Sequence, residues 1–229
     1  MSTYVWCEDS SSGFQFWRAL FGALYPDIII ETKQSNSKLR KAAENIKDDG
    51  NMYYLIMDMF LDNPDVLRET KHLKKVIENK SNVRLIKIRS FEFSLLSFEY
   101  LENWVFAEND ELKTARSNLL ETKKNFVTLV YHLGNAGQLE ELNSLLKKCG
   151  ISNNEKLASR LLYGITRNTG FETDKSKIGY CFINSCCQWA ERGDDDICGL
   201  DDSRLTYSQK MYQIKIHSDL SEAFKEAGL

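Results

Sequence analysis

The chain has 229 residues, a hydrophobic fraction of 42%, a charged fraction of 28% and a formal net charge of −3. That length and composition support a real core, argue against disorder, and allow one large domain or two small ones. A slightly acidic chain has no bulk pull toward a polyanion, so a nucleic-acid site would have to be a local basic patch.

In chain order, "TYVWCE" reads as a strand. "GFQFWRALFGAL" reads as a helix, with Phe14, Trp17, Leu20, Phe21 and Leu24 on one face. "DIIIET" is a short buried strand, "SKLRKAAENIKDDG" a polar helix running to Gly50, and "MYYLIMD" a third apolar run that ends in an acid. "PDVLRETKHLKKVIENK" opens with Pro64 at a first helical turn, and "VRLIKIRS" is a fourth strand. Apolar runs buried on both faces and separated by helices indicate a mainly parallel sheet with crossover connections. After Phe91 the pattern changes. "FEFSLLSFEYLENWVFAE" reads as one apolar helix and "NDELKTARSNLLETKKNFVTLVYHLG" as one long helix. "QLEELNSLLKKCG", "NEKLASRLLYGITRNTG" and "HSDLSEAFKEAGL" follow as further helices. The expected fold class is α/β: an N-terminal domain over residues 1–90, then a mostly helical region over 91–229 packed on the same core.

No run approaches the length of a transmembrane helix, and "MSTYVWCEDSSSG" has neither a basic segment nor a long apolar one. A cytoplasmic location, no membrane partner and reduced cysteines are expected.

In an open parallel sheet, sites form at the carboxyl ends of the strands. Glu8 ends the first predicted strand and Asp58 the third. Asp62 lies four residues on, and Glu92 follows the fourth strand. Carboxylates converging on one edge repel one another unless a divalent cation neutralises them, and oxygen-only ligands suit Mg²⁺ or Mn²⁺. Such an ion polarises a phosphate and lowers the pKa of a bound water. The competing reading makes these acids solvated loop residues and helix caps, with Asp9 and Ser10 to Ser12 capping the first helix.

"YVWCEDSSSGFQFWRALF", "IIIETKQSNSKLRKAAENI" and "YYLIMDMFLDNPD" together resemble the Toprim domain, found in primases, topoisomerases, ribosomal-RNA maturation nucleases and the nuclease half of the OLD family. The resemblance covers residues 3 to about 90. It implies that Glu8 is the Toprim glutamate, a general acid or base or a metal ligand, and that Asp58 is the first aspartate of an Asp-x-Asp pair. The second would be residue 60, which is Phe60, and Asp62 is the nearest substitute. Asp58 and Asp62 share a side only if the chain stays extended between them. The usual glycine of the second turn is absent, with Gln34, Ser35 and Asn36 in its place. "SFEFSLLSFEYL" resembles the OLD segment that adds a further glutamate, which would be Glu92.

Cations for a nucleic-acid phosphate are expected among Lys33, Lys38, Arg84, Lys87 and Arg89. Lys177, beside Lys175 in "ETDKSKIGY", would neutralise the scissile phosphate. The cysteine-rich segment "GYCFINSCCQWAERGDDDICGLDD" has no paired Cys-x2-Cys spacing, so no zinc is expected. Phe182, Ile183, Cys186, Cys187 and Ala190 also fit one face of a buried helix. Asp194 to Asp196, Asp201 and Asp202 lack the spacing of a calcium loop.

Two readings follow. One is a Toprim-like, Mg²⁺- or Mn²⁺-dependent nuclease or phosphodiesterase acting on nucleic acid, in phage or mobile-element defence. The other is a Toprim-shaped module without catalysis that binds a nucleotide, a nucleic acid or, through its helical region, a protein.

Overall fold

The computed structural model describes residues 1–60, 62–106, 109–132, 136–186 and 205–229. Four strands alternate with helices: β1 (Thr3–Cys7), α1 (Ser12–Leu24), β2 (Ile28–Thr32), α2 (Asn36–Glu44), β3 (Met52–Asp58), α3 (Pro64–Ile77) and β4 (Val83–Ile88). Helices follow: α4 (Phe91–Ser97), α5 (Leu101–Phe106), α6 (Asp110–Ala115), α7 (Ser117–Tyr131), α8 (Ala136–Cys149), α9 (Asn154–Thr166), α10 (Tyr180–Ile183), α11 (Tyr207–Ile216) and α12 (Leu220–Ala227). The strands form one all-parallel sheet in the order β2-β1-β3-β4. The α/β class read from the sequence is therefore the class of the fold, with a mostly helical second half.

Side chains alternate across the sheet with period two, which separates two cores. Tyr53, Leu55 and Met57 of β3 face Leu39 and Ala43 of α2 and Leu73 of α3. Val5, Cys7, Ile56, Ile86 and Ile88 face the other way, into a larger core. That core takes in Phe16 and Phe21 of α1, Phe93 of α4, Phe126 of α7, Phe182 of α10 and Phe224 of α12. The hydrophobic core thus runs unbroken across residue 90. The helical region, together with α1, supplies one of the two layers that bury the sheet.

The helices differ from the sequence reading at several places, and at two of them a buried basic residue, Arg116 or Lys210, interrupts the apolar period. The single helix expected over 91–108 is α4 and α5, parted at Phe98, which is extended with φ −61° and ψ 119°. The single helix expected over 109–134 is α6 and α7, parted at Arg116. Arg116 is buried and donates to the carbonyls of Ile165 and Arg167, so it anchors the junction to the end of α9. The predicted polar helix ends at Glu44 rather than at Gly50. Helix α11 has no counterpart in the sequence reading. Its buried positions are Lys210, Met211 and Ile214, and a lysine among them hides the periodicity. Helix α10 holds Phe182 and Ile183 but stops there, so Cys186 lies beyond it. Cys187, Ala190, Cys198 and the predicted acidic run from Asp194 to Asp202 lie outside the described residues.

Candidate active site

The strand order reverses between β1 and β3: β2 lies on one side of β1, and β3 and β4 on the other. Connections diverge at such a point and leave a crevice beyond the carboxyl ends of the two strands. Glu8 follows β1 and Asp58 ends β3, so both acids stand at its mouth. Glu8 is fixed there by backbone, its Oε1 accepting from the Asp58 N–H at 2.6 Å. It does not cap α1, nor does Asp9: the N-cap residue Ser11 makes no side-chain cap bond, and Asp9 Oδ2 instead accepts from Trp17 Nε1 at 2.8 Å.

A cleft of about 620 Å³ opens over these residues. Helices α1 to α4 each follow a strand, so all four begin at this edge, and the first turn of α9 reaches it with Glu155. The lining holds seven acids, Glu8, Asp9, Asp58, Asp65, Glu69, Glu92 and Glu155, and two bases, Arg68 and Lys175. Arg68 is paired with Asp65 at 3.0 Å.

Two effects compete over the acids. Helix N-termini favour negative charge by about 0.3–1 kcal/mol each. Loss of hydration opposes it and wins. Burial pushes Glu8 up to about 8, against the bond from the Asp58 N–H and with help from the Asp9 and Glu155 charges. Burial likewise lifts Glu92 to about 7, and Asp9 to about 6 despite the Trp17 bond. Asp58 is raised well above the carboxylate range, first by burial and then by Asp9, Glu8, Glu92 and Glu155. Near neutral pH the cluster holds protons that exposed carboxylates would have released.

Asp58 Oδ1 is buried without a hydrogen-bond partner. Such an acceptor costs about 1–3 kcal/mol, which a cation or a donor would offset. The donors are all oxygen, the set preferred by Mg²⁺ and Mn²⁺, so the chemistry of the site fits such an ion. As the side chains stand, no group of three His, Cys, Asp or Glu among the described residues is placed to hold one. Binding would require Glu8, Glu92 or Asp9 to draw in toward Asp58.

Of the residues expected from the sequence, the fold brings Glu8, Asp58 and Glu92 together. Asp62 is elsewhere, its Oδ2 accepting the Asn154 N–H at 2.7 Å at the start of α9. The chain does not stay extended after Asp58: it turns at Phe60, whose carbonyl accepts from the Asn63 N–H, and the parity of 58 and 62 loses its meaning. We expect Asp62→Ala to lower stability by about 1 kcal/mol through loss of this cap, read from the urea midpoint. An unchanged midpoint would show the bond to be energetically idle.

Lys177 does not line the cleft. It sits in a turn in which its N–H donates to Asp174 Oδ1 at 2.9 Å, and Lys175 faces the acids instead. The five predicted phosphate-binding cations do not form one patch. Lys33 pairs with Glu31 at 2.6 Å and lies over the Trp6 ring. Lys38 donates to Gln34 Oε1 at 2.7 Å. Arg84 stands near the amino end of β4, at the opposite edge of the sheet. Lys87 pairs with Glu226 at 3.0 Å, and Arg89 with the buried Asp219 at 3.5 Å. Ion pairing and burial in the second half of the chain claim charges that the first half alone leaves free.

Asp9 and Glu155 were not singled out as site acids. Asp9 had a signal in Gly13, where a Cβ would press into the Asp9 carboxylate. Glu155 had none, being delivered by α9 from far along the chain. The missing glycine of the second turn has a counterpart in the backbone: Gln34 takes the left-handed conformation that glycine favours, with φ 70°. Cys7, Cys149 and Cys186 are thiols, and burial pushes the Cys7 thiol up. No helix among the described residues is long and apolar enough to cross a membrane. Compared with family models, curated proteins and solved structures, the chain has no significant match.

Proposed function

We propose that this chain is a Toprim-like, divalent-metal-dependent phosphodiester hydrolase acting on nucleic acid. The observation that carries this reading is the buried, unpartnered Oδ1 of Asp58 inside an acid-lined cleft at the sheet's switch point. Asp58 and Glu92, with Asp9 or Glu155, would hold a Mg²⁺ or Mn²⁺ ion. When bound, that ion would withdraw charge from a phosphate and supply an activated water. The chain's own groups do the rest. Glu8, pushed up to about 8 in the metal-free cleft, would be the group that gives a proton to a leaving oxygen. The first turns of α1 and α2 present backbone N–H groups to the cleft, and Lys175 adds a positive charge at its rim.

The second reading, a Toprim-shaped binding module without hydrolysis, is favoured by one observation: Phe60, where the second aspartate would stand, is 4% exposed and belongs to the core. A screen of labelled DNA and RNA with Mg²⁺ or Mn²⁺, run beside Glu8→Gln and Asp58→Asn, decides between them. Cleavage that needs the metal and falls at least about 100-fold in both variants supports the hydrolase. Binding without cleavage in either metal supports the module.

A further inference from the structure

We propose that the exposed face of α9 is a track for single-stranded nucleic acid that leads from the rim of the acidic cleft. This deepens the reading above and rests on it for the chemistry at the end of the track. A groove of about 400 Å³ runs beside α9, lined by Lys156, Ser159, Arg160, Tyr163, Asp174 and Lys175. Lys156, Arg160 and Tyr163 recur at i, i+4 and i+7, which places them on one side of the helix. All three are exposed, Tyr163 at 43%. Lys175 lines both the groove and the cleft, so the two share a wall. The same helix therefore turns Glu155 toward the acids and a cationic, aromatic face outward.

The charges on this face are available. Lys156 donates to Ser152 Oγ at 3.1 Å and Arg160 to the Cys149 carbonyl at 3.2 Å, both of them uncharged partners. Among the described residues neither they nor Lys175 enters an ion pair, whereas Lys33, Arg40, Lys87 and Lys123 all do. Asp174, the one acid in the groove, stays negative, since Ser176 donates to it from side chain and backbone and holds it below its usual range. It forms no ion pair with Lys156, Arg160 or Lys175, and the three cations outnumber it. Unpaired cations attract phosphates, and an exposed ring offers a base something to stack on. A duplex keeps its bases stacked inside and cannot use that ring. Cations alternating with an aromatic ring fit a single strand.

The test is fluorescence anisotropy of a labelled oligo-dT and of a blunt duplex of equal length, in EDTA, across a salt series. We expect the single strand to bind more tightly than the duplex. Lys156→Gln/Arg160→Gln should weaken binding about tenfold or more and flatten the log–log salt slope by about 1.4, the contribution of two phosphate contacts on a single strand. Tyr163→Ala should weaken it about tenfold with the slope unchanged, and Tyr163→Phe should bind as wild type. These side chains are exposed, so melting temperatures should match wild type, which keeps loss of binding distinct from loss of fold. The proposal is overturned if wild type binds no single strand, if the duplex binds as tightly, or if the variants bind as wild type. Tight binding without cleavage in any metal would sink the hydrolase and leave the track. Cleavage by variants that bind as wild type would do the reverse.

Discussion

Raising the pH from about 5 to about 8 in EDTA should lower the unfolding free energy by about 3–5 kcal/mol. Glu8, Asp9 and Glu92 sit at about 8, 6 and 7 in the fold, and Asp58 is also raised. In the unfolded chain the same groups titrate near 4. Between the two ranges the folded chain binds more protons than the unfolded one, so stability falls as pH rises. It is fully present below about pH 4 and lost as the pH passes through the folded values. Each pH unit over which one extra proton is held changes stability by about 1.4 kcal/mol, and the interactions among the four acids keep their effects from adding in full. Urea melts at a series of pH values read the slope. Glu8→Gln should flatten it, because the amide keeps an oxygen to accept the Asp58 N–H and carries no charge. Glu8→Ala should flatten it too, but with an added loss of about 1–3 kcal/mol for the orphaned N–H. Millimolar Mn²⁺ should restore wild type at the upper end of the range, since a ligand that binds only the fold raises its stability, and should restore Asp58→Asn less. A slope of opposite sign would mean that the acids are ionised and paired in the fold, and the site as described would fall.

The sheet was legible in the sequence because each strand is an apolar run bounded by a turn and parted from the next strand by a helix, even though the edge strands β2 and β4 keep exposed positions such as Ile29, Arg84 and Lys87. Under those conditions an apolar run, its length and its flanking turn are sufficient. The edge position of Glu8, Asp58 and Glu92 follows from the same logic, since each stands within a few residues of a strand's carboxyl end. What was not legible depends on contacts distant in the chain. Glu155 joins the acids because Asp62 and Asn153 fasten the start of α9, and nothing near residue 155 announces it. Lys87 and Arg89 look like phosphate ligands until α12 brings Glu226 and Asp219 to them. The break at Arg116 arises from carbonyls 49 and 51 residues away. Charge is harder to place from sequence than hydrophobicity, because a charged side chain takes whichever partner the fold delivers.

Phe60→Asp, which writes the missing aspartate back into the chain, should destabilise the protein by about 4 kcal/mol or more and should not strengthen metal binding. Phe60 is buried, its ring centroid 5.7 Å from Phe93 and 6.3 Å from Phe126. Phe93 and Phe126 are in turn 5.8 Å apart, edge to face. This trio locks the loop after β3 against α4 and α7, two helices of the helical region. Emptying the position costs about 3–5 kcal/mol for a phenylalanine, before any charge is buried. A carboxylate placed there would lose its hydration with no cation or donor beside it, and it would take up a proton or unfold the loop. Phe60→Leu should cost less, about 1–2 kcal/mol, because most of the volume stays filled. Chemical denaturation of the three proteins, with and without Mn²⁺, reads both effects. A folded Phe60→Asp variant with a larger Mn²⁺-dependent shift than wild type would show that position 60 can swing into the cleft, and that the loop is not locked by its aromatic ring. The expected outcome carries a different lesson about the site. With position 60 committed to packing, a second acid beside Asp58 has to come from another element, and Asp9, Glu92 and Glu155 line the same cleft. Two of those three lie outside the strand-end pattern of the Toprim resemblance or beyond the residues that carry it. A ligand set that takes Glu92 or Glu155 depends on the helical region being docked, because α4 and α9 deliver those two acids.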